Sequence, residues 1–159
     1  MELMTKSKGK IEISQDRLLT IPEGLFGFEK FTKFALVDSD YEPFIWLQST
    51  ENPNLAFLIV DPFLISSTYE TDIDDETLQK IGITKPEDII IMTIVTVPAD
   101  GSPITANFQG PIVINKKNHQ CMQVILNDNR WTTKFNIIDA LKLKGVNWCL
   151  SFLEKLMNK

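Results

Sequence analysis

Alternation of apolar and polar residues marks most of the chain as β-structure. Lys10-Ile11-Glu12-Ile13-Ser14 has the two-residue period of a strand with one buried face. Leu18-Leu19-Thr20-Ile21 follows, then β-rich runs at 34–37, 44–49 and 55–60. The last of these has no polar member, as expected of a strand buried on both faces or closed into a barrel. Asn52-Pro53-Asn54 predicts a hairpin turn, and Asp61-Pro62-Phe63 ends the third run because proline has no N–H to give to a ladder. Residues 69–73 alternate again and predict an edge strand. The longest β-branched run, 89–97, predicts the central strand. Further strands at 104–108, 112–115 and 121–126 are separated by Gly, Pro and Asn turns. Short strands at this spacing predict a mainly β fold, a single-domain antiparallel β-barrel or barrel-like sandwich.

Two stretches break the β pattern. Asp74-Asp75-Glu76-Thr77-Leu78-Gln79-Lys80-Ile81-Gly82 predicts one short helix, with acids in the first turn and a glycine to close it. From 136 to 157, Ile137, Ile138, Leu141, Cys149, Phe152, Leu153, Leu156 and Met157 recur at mainly helical intervals. Asn136 or Asp139 can cap the start. The expected organisation is a β-domain over 1–135 and an amphipathic helical extension over 136–159. Pro22-Glu23-Gly24-Leu25-Phe26-Gly27-Phe28 predicts an irregular turn whose Leu and Phe side chains tuck against the core.

Composition narrows the function more than the fold. With 43% hydrophobic residues the chain can bury a core, so disorder is excluded. A formal net charge of -5 opposes direct, non-specific nucleic-acid binding. It suits a basic partner, although solubility alone accounts for mild acidity equally well. Two Cys and one His supply neither a disulfide framework nor a zinc site. The first residues lack the apolar core of a signal peptide, and no run approaches the roughly 20 apolar residues of a membrane span. The expectation is a cytoplasmic protein with no membrane contact.

No catalytic set emerges. His119 sits in a turn without a motif partner and reads as a solvated residue, while Cys121 on an apolar strand reads as core. No catalytic residue, metal or cofactor is expected. Candidate protein-binding residues lie in two places. Glu70, Asp72, Asp74, Asp75 and Glu76 form either a solvated edge strand and helix first turn or a contact for a basic protein surface. Asp61, Pro62 and Phe63, leading into Leu64 and Ile65, form either core closure or a partner-facing patch. The tail helix is a third candidate surface.

The order of motifs resembles the FliW family. Pro22-Glu23-Gly24-Leu25 continuing to Gly27-Phe28-Glu29 is similar to its Pro-Glu-Gly-Leu-x-Gly-Phe-Glu segment. So are Phe44-Ile45-Trp46-Leu47-Gln48-Ser49, Asn54-Leu55-Ala56-Phe57 running to Asp61-Pro62, and Ile94-Val95-Thr96-Val97-Pro98. Thr105-Ala106-Asn107, Pro111-Ile112-Val113-Ile114-Asn115 and a last strand at Gln123-Val124-Ile125-Leu126 complete the likeness, which spans roughly 10–134. The resemblance implies a barrel-like protein without enzymatic activity that binds flagellin and the translational regulator CsrA. Holding CsrA keeps it off flagellin messenger RNA, and excess flagellin reverses this. Phe26 departs from the family's frequent Pro, and Trp131-Thr132-Thr133-Lys134-Phe135 replaces a Tyr- and Arg-His-containing segment. The tail beyond it docks on the barrel, alters partner choice or dimerises the chain. The alternative from a different class is a small-molecule-binding barrel, or an enzyme using the barrel interior. Solid packing by Phe34, Trp46, Phe57 and Ile91 would remove it.

Overall fold

The computed structural model describes residues 1–139. The expected helical extension therefore lies outside the described residues except for its first four positions. There, the Asn136 side-chain oxygen accepts from the backbone N–H groups of Ile138 (3.0 Å) and Asp139 (3.2 Å), as a helix cap does.

Strands appear in chain order as β1 Glu2–Thr5, β2 Gly9–Glu12, β3 Leu18–Thr20, β4 Lys33–Asp38, β5 Ile45–Ser49 and β6 Ala56–Val60. Helices α1 Pro62–Ile65 and α2 Asp75–Lys80 follow, then β7 Ile89–Thr96, β8 Thr105–Ala106, β9 Ile112–Asn115, β10 Cys121–Gln123 and β11 Phe135–Asn136. The main sheet runs β10-β9-β7-β6-β5-β4-β3 with antiparallel neighbours throughout. β7, whose β-branched run predicts the central strand, is instead third in this order, an interior strand with three partners. It pairs β9 over Ile89–Met92, β6 through Thr93, Ile94 and Val95, and β8 through Val95 and Thr96.

The apolar run in β6 has a direct cause. Leu58 and Val60 join a cluster with Phe44, Tyr69, Phe108 and Trp131, while Ile59 points the other way, into a cluster with Phe34, Leu47 and Ile112. Both faces are buried over Leu58, Ile59 and Val60, which leaves no place there for a polar side chain. The second cluster includes Leu19 of β3 and Cys121 of β10, so the sheet curls until its two ends share one core. A fully buried Leu or Phe of this kind contributes about 1.5–3 kcal/mol. The curl stops short of a closed barrel. Thr20 and Gln120 form a single parallel bridge, with the Thr20 N–H donating to the His119 carbonyl at 3.0 Å.

Four further expectations change. The alternating segment 69–73 forms no strand. Tyr69 instead turns inward, 3% exposed, and its hydroxyl donates to the Phe108 carbonyl at 2.8 Å. That contact fixes the chain away from any ladder. Pro62 does more than end β6. With Asp61 accepting from the Phe63 N–H at 2.9 Å, it starts a one-turn helix, an α-helix that the sequence reading did not predict. The strand expected over 121–126 is regular only in its first half, β10 at Cys121–Gln123, which also stops short of most of the last strand that the resemblance placed at 123–126. Finally, β1 was not anticipated. It pairs β2 and lays Leu3 and Ile13 over Ala35 and Val37 of β4.

Candidate protein-binding site

The turn at 22–28 sets one wall of the site. Gly24 has φ +71, and a Cβ there would lie 2.5 Å from the Glu29 Cα, so only glycine fits. The tight turn sends Leu25 into the core (1% exposed) and leaves Phe26 on the surface at 52%. The expectation that the turn's Leu and Phe side chains tuck inward thus holds for Leu25 and fails for Phe26, while Phe28 packs edge-on against Phe57 yet stays 38% exposed. Gln123 ties the turn to β10: its Oε1 accepts from the Phe26 N–H at 2.9 Å and its Nε2 donates to the Gly110 carbonyl at 2.9 Å.

The opposite wall is the segment leading into α2. Asp74 caps that helix, accepting from the Thr77 N–H at 2.7 Å. Hydrogen bonds from the Thr77 side chain and then its backbone hold the Asp74 carboxyl below its ordinary value. Between the walls lies a cleft of about 480 Å³, lined by Glu23, Phe26, Asp72, Asp74, Thr77 and residues 122–127. An adjoining cleft of about 420 Å³ is lined by Glu70, Thr71, Asp72, Leu126, Asn127 and Asp128. Neither lining contains a lysine or arginine. Arg130 sits close by but is engaged, reaching Asp128 at 2.6 Å and Glu70 at 3.3 Å. These bonds lower the Asp128 carboxyl and raise the guanidinium.

Asp72 and Asp74 therefore share one cleft, and Glu70 and Asp72 share the next. Asp75 lines a separate depression with Leu78 and Ile83, and Glu76 is exposed on the first turn of α2. Asp61, Pro62 and Phe63 do not line either acidic cleft. Pro62 is buried, Asp61 caps α1, and Phe63 packs edge-on against Tyr69 at 5.4 Å. The core-closure reading holds for Pro62 and Ile65, whereas Phe63 is 42% exposed. The residues that sequence reasoning missed are Glu23, Phe26, Gln123 and Ile125. Phe26, which departs from the family pattern, was the available signal.

Two other side chains bear on chemistry. Burial pushes the Cys121 thiol up to about 12, which leaves it without thiolate at neutral pH. His119 is a structural joint where the sequence predicts a solvated residue. It is half-buried at φ +61, with Nδ1 3.0 Å from the Leu18 carbonyl. The four residues expected to fill one interior divide between two cores. Phe34 and Phe57 pack in the cluster enclosed by the curl, Trp46 and Ile91 in the other. Among the described residues, no group of three or more His, Cys, Asp or Glu is placed to hold a metal, and no helix is long and apolar enough to cross a membrane.

Known proteins are similar to this chain in sequence and in fold. The FliW protein family model matches residues 2–137. The flagellar assembly factor FliW of Treponema denticola is 48% identical over 147 residues, covering 92% of this chain and 100% of that protein. The flagellar assembly factor FliW of Treponema pallidum is 46% identical over 138 residues, covering 87% of this chain and 92% of that protein. A crystal structure of the flagellar assembly factor FliW superposes with a TM-score of 0.78 at 37% identity, covering 86% of this chain and 96% of the other. With its family match over nearly all the described residues and the same barrel-like sheet, the chain belongs to the FliW family.

Proposed function

We propose that the chain is a non-enzymatic, cytoplasmic regulator of flagellar assembly that works by binding other proteins. Its partners in this reading are a CsrA-type translational regulator and flagellin, exchanged one for the other. The family match supports the flagellar role. One observation carries the binding role: Phe26 and Ile125, 52% and 62% exposed, stand in a cleft whose charged members, Glu23, Asp72 and Asp74, are all acidic. An exposed apolar pair inside a single-sign rim suits a basic protein surface.

Such a surface fits an RNA-binding regulator. Bound beside a basic RNA site, the acidic rim repels phosphate over about a Debye length, some 8 Å at physiological salt, without filling the site. Mixing the purified chain with each partner tests the reading. The expected result is a complex with each at micromolar concentration, with flagellin displacing the regulator and freeing it to bind RNA. Absence of any complex at low salt sinks the proposal.

A further inference from the structure

The two hydrogen-bonding sides of the β10 segment are used differently. Asn115 N–H donates to the Gln120 carbonyl at 2.8 Å, Val124 N–H to Pro111 at 3.0 Å and Leu126 N–H to Gln109 at 2.8 Å. This alternation turns the even-numbered residues toward β9 and its extension. Gln123 and Ile125 therefore aim their N–H and C=O groups the other way. Thr20 and His119 close that side only as far as Gln120. Beyond it, Pro22 and Gly24 carry the chain away from β3, and Phe26 reaches the edge through the Gln123 side chain alone. Among the described residues, nothing pairs with the outward backbone groups of Gln123, which is 7% exposed, and of Ile125, which is 62% exposed, so a guest meets the edge first at Ile125.

Natural sheet edges are usually blunted by charge, proline or a bulge. Cys121-Met122-Gln123-Val124-Ile125-Leu126 contains neither charge nor proline, and its open side faces the 480 Å³ cleft. Phe26 and Ile125 offer apolar contact to alternate side chains of an incoming strand, and Glu23, Asp72 and Asp74 offer charge. Two copies of this edge would bring like charges together, which disfavours self-pairing and favours a basic guest.

We propose that the open β10 edge takes up an extended segment of a partner protein, with apolar residues alternating with Lys or Arg, as an added strand. The idea rests on the cleft being a protein-binding site and specifies how that site binds: main-chain hydrogen bonds to Gln123 and Ile125 give affinity, and the acidic rim selects the sequence.

The test uses the full chain, isotope-labelled, and a capped octapeptide of alternating Val and Lys. Its control is the same peptide N-methylated at alternate residues, which removes donors and keeps side chains. Peptide addition should slow hydrogen exchange at the Gln123 and Ile125 amides at least tenfold, and the methylated peptide should not. Ile125→Pro removes the outward N–H together with the isoleucine side chain, and should weaken peptide binding tenfold or more, well beyond the effect of Ile125→Thr, which loses the same side chain. Ile125→Thr keeps the N–H and should retain the protection. Equal binding of both peptides, or binding without protection of these two amides, overturns strand addition while leaving the cleft as a binding site. Loss of partner capture on Asp72→Lys tests the cleft itself, independently of the edge. Amides already protected without peptide also overturn the proposal. Concentration-independent protection would assign the edge to this chain's residues 140–159, and protection growing with concentration to a second copy.

Discussion

The seam between β3 and β10 is closed at one end and open at the other. At the closed end His119 adopts a left-handed backbone conformation, its carbonyl accepts from Thr20, and its ring meets the Leu18 carbonyl. Cys121 lies just inside, 1% exposed. At the open end, two residues further along β10, the facing chain has turned away and one glutamine side chain spans the gap. Main-chain closure makes a core; side-chain closure leaves backbone groups unpaired and two apolar side chains, Phe26 and Ile125, exposed. The difference arises in Pro22-Glu23-Gly24, not in β10, whose composition is uniformly apolar or neutral across both halves.

The turn is therefore the first place to break the comparison. Gly24→Ala imposes a left-handed conformation on a residue with a Cβ and drives that Cβ into the Glu29 backbone, 2.5 Å away. The expected loss is about 2–4 kcal/mol in urea denaturation. The effect should be local to the open half: the Phe26 amide loses hydrogen-exchange protection relative to the Thr20 amide. Uniform loss at both would mean that the seam behaves as one unit.

Gln123→Ala tests the strut directly. It leaves the Phe26 N–H and the Gly110 carbonyl without their side-chain partner, for an expected cost of about 1–3 kcal/mol. Binding should fall more than stability does, because Phe26 is positioned by this bond. A variant as stable as the parent would show that water replaces the glutamine at no cost.

The two halves were unequally legible in the sequence. Strand period, Pro and Gly punctuation and the β-branched run predicted β4 to β7, β9 and α2, because each is a local pattern with a buried face. The turn at 22–28 was legible as a turn, yet not which of its side chains would face out, since that depends on where the sheet's two ends meet. Tyr69 shows the same limit. Its alternating neighbours look like a strand, but a hydroxyl bond to Phe108, 39 residues away, decides the outcome. The acidic residues of 70–76 were visible, whereas the residues they meet across the cleft, at 22–28 and 122–127, lie far off in sequence on either side. Asp61, Pro62 and Phe63 combined helix-capping chemistry with an apolar run, and sequence separated neither role.

A smaller effect sharpens the far wall. Asp74 is both a rim charge and the cap of α2, so its replacement mixes two effects. Asp74→Ala should lower the urea midpoint at pH 7 by less than Gln123→Ala does. Because the folded-state carboxyl lies below its ordinary value, its contribution is present above the unfolded pKa. It disappears as pH falls through the lower, folded value, so parent and variant should converge at acid pH. A difference that persists there would assign the effect to something other than the ionised cap.

Asp72 separates charge from structure, and it should change stability least of all. It is exposed, lines both acidic clefts and accepts no hydrogen bond from another described residue. Asp72→Lys should leave the urea midpoint unchanged, since an isolated surface charge contributes little to folding. Association with a basic partner should slow several-fold, with a flatter dependence on salt, because steering depends on the summed field of the rim. Glu70→Lys is a poorer probe, since it also breaks the contact with Arg130 at 3.3 Å. Unchanged kinetics for Asp72→Lys would return these acids to solvation, leaving the unpaired backbone of Gln123 and Ile125 and the exposed Phe26 as what distinguishes the open half of the seam.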